Sequence, residues 1–207
     1  MKSSTKIIQC AVAVGAIAAL SFKFAGVTAE PVSSRPAKAA EKLPFTVYDD
    51  KGSGRNHYVP SGWMGNTKGI KMDEGCTASP HHGKTCLRFE YSGTGDWAGV
   101  GWQDPVNDWG EMAGGWNLTG AKKLSFWARG ESGDESPVFK FGILGADKKF
   151  PDSSGGEIDD VKLTREWRKY SIELDGKDLS CVKTGFAWTL SAQGHPVTFY
   201  LDDIQFE

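Results

Sequence analysis

Several things are scarce in this sequence of 207 residues, and each scarcity removes a class of function. No stretch after Phe45 repeats apolar residues at helical spacing over three or more turns, so helical bundles and doubly wound folds are excluded. No basic block exists, and the formal net charge is −2, so the positive footprint that nucleic acid or an anionic membrane requires is missing. Nucleophile elbow, P-loop and zinc-helix patterns are all absent. Glu90, Asp96, Asp104, Glu111 and Glu157 are available carboxylates, yet no spacing marks two of them as a glycosidase pair. No internal period of the kind a propeller needs is visible. Histidine is limited to four residues, all among turn formers, as surface histidines commonly are.

Cysteine is also sparse, at four residues. Cys10 lies in the N-terminal segment, where Lys2 and Lys6 precede an apolar run from Ile7 to Phe22 and Val27-Thr28-Ala29 supplies small residues for cleavage. That order is a secretory signal peptide over residues 1–29, with export to the periplasm or beyond and no membrane span after cleavage. Residues 30–44, rich in Pro, Ala and Lys, are expected as a flexible spacer. In an oxidising compartment Cys76 and Cys86, closing a short loop, are expected to pair as a disulfide. A metal site from these two with His81 and His82 is the weaker alternative, because adjacent histidines on extended chain point apart. Cys181 is expected as a small buried thiol.

What is abundant is tryptophan, with eight residues, and glycine, with 26. Beyond Phe45 the pattern is period two. Leu87, Phe89 and Tyr91 alternate with Arg88 and Glu90, and Leu124, Phe126 and Ala128 with Ser125, Trp127 and Arg129. Phe139, Phe141 and Ile143, Tyr170, Ile172 and Leu174, and Phe186, Trp188 and Leu190 form further single-faced sets. Shorter strands are expected at 45–50, 70–73, 98–103 and 158–163. Nine or ten such strands predict an all-β, antiparallel β-sandwich of the jelly-roll kind over residues 45–207. In the last strand Phe199 and Leu201 share one parity and Ile204 and Phe206 the other, so a bulge is expected at Asp202-Asp203. Two adjacent carboxylates there need compensation, either from a cation such as calcium or from solvent and turn hydrogen bonds.

Four segments resemble carbohydrate-binding modules of the galactose-binding-like jelly-roll class, such as families 4, 11 and 22. They are Ser79–Phe89, Leu118–Gly130 (LTGAKKLSFWARG), Val161–Tyr170 (VKLTREWRKY) and Thr198–Ile204 (TFYLDDI), in that order. The resemblance implies the sandwich fold and non-catalytic binding of a poly- or oligosaccharide. It also implies a structural calcium ion, for which Asp50, the carbonyl of Lys84, Asp202 and Asp203 are the candidate ligands.

Sugar recognition needs flat aromatic faces and planar polar groups. Trp63, Trp97, Trp109 and Trp127 are the candidate platforms, with Gln103, Asp104 and Arg129 as polar contacts. Trp167 and Trp188 are expected in packing. The stretch 96–117 is long for a sandwich connection, which favours a functional loop. The competing reading uses the same tryptophans as a protein–protein interface of an envelope or assembly protein. A polysaccharide-active enzyme is a third, less supported reading.

Overall fold

The computed structural model describes residues 38–207, so the segment 1–29 expected to be a signal peptide lies outside the described residues. Eleven strands form two antiparallel sheets. In chain order they are β1 (Phe45–Tyr48), β2 (Val59–Gly65), β3 (Ile70–Cys76), β4 (Cys86–Tyr91), β5 (Trp97–Gln103) and β6 (Lys123–Gly130). These are followed by β7 (Val138–Phe141), β8 (Gly156–Ile158), β9 (Arg168–Glu173), β10 (Thr184–Ser191) and β11 (Val197–Phe206). One sheet runs β3-β4-β11-β6-β9, with β1 also paired to β11, and the other runs β2-β5-β10-β7-β8. Among the described residues no helix is long and apolar enough to cross a membrane.

The period-two reading places the core correctly. Leu87, Phe89, Leu124, Phe126, Ala128, Phe139, Phe186 and Trp188 are all fully buried, because alternate side chains of both sheets turn inward. They meet as an aromatic layer. Phe89 packs edge-on to Trp188 (5.0 Å), Trp188 edge-on to Phe199 (5.1 Å), and Phe126 against Phe139 (4.6 Å).

The parity switch in β11 is real. Pairing with β6 slips between Asp202 and Gln205, and Asp203 takes a left-handed backbone conformation (φ 46°). Before the bulge β11 pairs with β4, and after it with β1, so the bulge lets one strand serve two neighbours.

Two expectations need correction. Residues 56–66, where no strand is expected, contain β2. It is an edge strand with Pro60, Gly62 and Gly65 and no buried alternation, so its sequence lacks the two-faced signature. The strand expected at 158–163 is instead the short β8 ending at Ile158; Val161 and Leu163 are buried without forming a ladder. In the expected spacer, residues 38–44 are docked: Asn117 Nδ2 donates to Lys38 O (2.5 Å), and Glu41 N to Asn117 O (2.8 Å).

Candidate functional site

On β5, Ala98, Val100 and Trp102 point into the core, which leaves Trp97, Gly99, Gly101 and Gln103 on the outer face. Register puts small residues beside them: Thr189 opposite Gly99 and Ala187 opposite Gly101 on β10, then Lys140 opposite Ala187 on β7 and Glu157 opposite Lys140 on β8. Gly99 is required as glycine, since a Cβ there would run into the Trp188 carbonyl and the Thr189 and Met64 side chains. The result is a floor of low relief. At one end stands Trp97, 48% exposed, beside a recess of about 360 Å³ shared with Asn66 and Asp96. At the other end a recess of about 400 Å³ is flanked by Ile143 and the paired Lys140 and Glu157. Both ends of this trough carry hydrogen-bonding side chains.

The long connection after β5 borders the trough and is held from below. Gln103 is buried, donating to Asp108 O (2.9 Å) and accepting from Ser61 Oγ (3.2 Å). Asp104 accepts from Gly115 N (2.9 Å). Asp108 and Lys183 form a buried ion pair, and Lys183 Nζ also donates to Met112 O (2.7 Å) and Phe150 O (3.2 Å). Burial pushes the Asp108 carboxyl up, but Lys183 and the amides of Met112 and Glu111 outweigh it and hold it below the usual range. Gln103 and Asp104 therefore brace the loop from inside. Trp109 is half-buried in it, while Val106 and Met112 are exposed at its tip.

The remaining candidates lie elsewhere. Trp63 pairs with Val100 at the edge of the sheet, on the side opposite Trp97, and is 38% exposed. Trp127 and Arg129 are on β6, in the other sheet, beneath a strap formed by residues 77–85. His81 stacks on Trp127 (3.7 Å, 17°), and its Nδ1 is 3.0 Å from Asp203 Oδ2. Arg129 lies over the Tyr200 ring (3.7 Å) and donates to Ala78 O (3.1 Å), while Trp167 Nε1 donates to Ser79 O (2.9 Å). Reading the sequence as turns missed this clasp, since nothing local tells which ring a histidine will meet.

The expected calcium ligands hold the same strap. Asp202, fully buried, accepts from His81 N (2.8 Å), His82 N (3.2 Å) and Asp203 N (2.9 Å). Burial pushes its carboxyl up to about 6. Asp50 Oδ1 accepts from Lys84 N, Thr85 N (both 2.8 Å) and Thr85 Oγ1 (3.1 Å), bonds that lower its pKa, with the Lys84 amide contributing most. Calcium needs six to eight oxygens converging on one point. Here the carboxylates of Asp50 and Asp202 face N–H donors of the strap.

Cys76 and Cys86 sit directly opposite on β3 and β4. Both are buried, and Cys86 Sγ lies 3.5 Å from Cys76 O.

Comparison with solved structures finds the same sandwich. The family 30 carbohydrate-binding module of a cellulosomal cellulase of Clostridium thermocellum is 18% identical, with a TM-score of 0.53 over 80% of this chain and 98% of that one. A second family 30 module is 15% identical, with a TM-score of 0.54 over 80% and 99%. At such identities the likeness shows the fold. No curated protein matches the sequence. The sequence pattern of the family described as "Carbohydrate binding domain 30" matches residues 45–207, and the chain belongs to that family.

Proposed function

We propose that the protein is an exported, non-catalytic module that holds a polysaccharide chain across the outer face of the five-stranded sheet. The observation that carries this reading is Trp97, exposed at the end of a floor made of Gly99, Gly101, Ala187 and Thr189. Sugar rings stack on indole and need space above a flat sheet, which glycine and alanine provide. From β5 to β8 is three strand spacings, about 15 Å, the reach of an oligosaccharide segment rather than one ring. Asn66 and Asp96 at one end and Lys140 and Glu157 at the other offer partners for hydroxyl groups.

Binding of the folded protein to a panel of soluble polysaccharides in native affinity gels tests this. Trp97→Ala should weaken retention at least tenfold with an unchanged melting temperature. Retention on no glycan, or retention indifferent to Trp97, refutes the trough. Steady release of reducing ends would refute the non-catalytic reading.

The Cys76–Cys86 bridge belongs to the same proposal. Partners across an antiparallel ladder have Cα atoms about 4.5–5.5 Å apart, within disulfide range. Burial pushes the Cys86 thiol up to about 12. Intact mass of exported protein should be about 2 Da below the reduced mass, and should begin at Glu30 if the leader is cleaved after Ala29.

A further inference from the structure

On the opposite sheet a recess of about 300 Å³ lies between the strap and the β1–β2 connection. Its floor is Thr46, Gln205 and Ser125, the outward side chains of β1, β11 and β6 beyond the bulge. Ser125 Oγ is buried there without a well-formed hydrogen bond, the Glu207 carboxylate lying beside it. Trp127 makes an apolar wall whose plane is fixed by the His81 stack.

The charges around the rim narrow the choice of ligand. Arg55 is paired with Asp49, and Lys169 with Glu207 (2.9 Å); Asp203 is held by His81 (3.0 Å). An anion entering here would face Asp49 and Asp203, and a cation would face Arg55 and Lys169. A neutral ligand carrying many hydroxyls avoids both conflicts. Its oxygens accept from Arg55, Lys169 and Gln205, while its hydroxyls donate to Asp49 and Asp203. The recess of about 300 Å³ suits one ring, unlike the 15 Å span of the trough.

We propose that this recess is a second saccharide site, which takes a single uncharged sugar ring such as a chain end or a short branch. It stands on its own geometry and does not depend on the trough. Together the two sites would let one copy of the module touch two glycan chains, because they open on opposite sheets.

The test follows the indole N–H signals of Trp127 and Trp97 by nitrogen–proton correlation spectra during titration. The probes are glucose, galactose, mannose, xylose and their β-1,4 tetrasaccharides, with glucuronate and glucosamine as charged controls. The expected result is a saturable shift of the Trp127 signal by at least one neutral sugar. That shift should persist in Trp97→Ala and weaken at least tenfold in Lys169→Ala or Gln205→Ala, both surface changes that leave the core intact. A Trp127 signal that stays still at 50 mM of every sugar, or that moves only while Trp97 is present, overturns the second site. Tighter binding of glucuronate or glucosamine than of glucose overturns the neutral ligand class. The trough is judged separately, by the Trp97 signal and by polysaccharide retention.

Discussion

Asp202 shows how one side chain can hold a loop and tune stability at once. Its carboxyl is buried and sits at about 6 when folded, against about 4 for an unfolded chain. A raised acid pKa means the native state binds the proton more tightly. The contribution is therefore fully present below about pH 4 and lost as pH rises through 6. The gap of about two units bounds the effect at about 3 kcal/mol. Asp202→Asn does not titrate, so the stability of wild type minus that of Asp202→Asn should fall by up to about 3 kcal/mol between pH 4 and pH 7. A wild type that gains on Asp202→Asn as pH rises would show that the carboxylate is not desolvated.

At the scale of elements, two loops are fixed to the sandwich by buried acids, and each fixing can be tested. Lys183→Met leaves Asp108 charged and unpaired in the interior, which costs about 3–5 kcal/mol in denaturant unfolding. It should also open residues 104–117 to proteolysis ahead of the sheets, whereas a loop as protected as in wild type would refute its role as anchor. The 77–85 strap is held by amide donors on Asp50 and Asp202. Adding EDTA, or calcium to stripped protein, should accordingly move the melting temperature by less than 1 °C if calcium gains no oxygen ligands there. A calcium-dependent rise of several degrees would mean the strap rearranges around the ion.

These elements also mark where sequence reading succeeds. Central strands such as β4, β6 and β10 bury one complete side, so alternation survives in their residues. β2 buries little and includes Pro60, so the same signal is missing although the strand forms. The β11 bulge was readable because two apolar sets change parity across Asp202-Asp203. Which tryptophans share a face was not readable. Trp97 and Trp127 have equally exposed parity in their own strands, and only the assignment of β5 and β6 to different sheets separates them.

For the molecule as a whole, a preformed trough predicts stabilisation by ligand without rearrangement. At a free oligosaccharide concentration 100 times Kd, linkage adds about 2.7 kcal/mol. For a domain of this size that raises the melting temperature by about 5–10 °C. Trp97→Ala should abolish most of the rise. A saccharide that binds by calorimetry yet leaves the melting temperature unchanged would imply equal affinity for unfolded chain, against a built site.

The edge formed by β2 has a consequence for colloidal behaviour. Its pairing with β5 slips between Pro60 and Gly62, and proline offers no N–H to a newcomer. A bulged, proline-bearing border is a poor template for cross-β growth. Trp63 can thus remain in water on an unprotected margin without seeding fibrils.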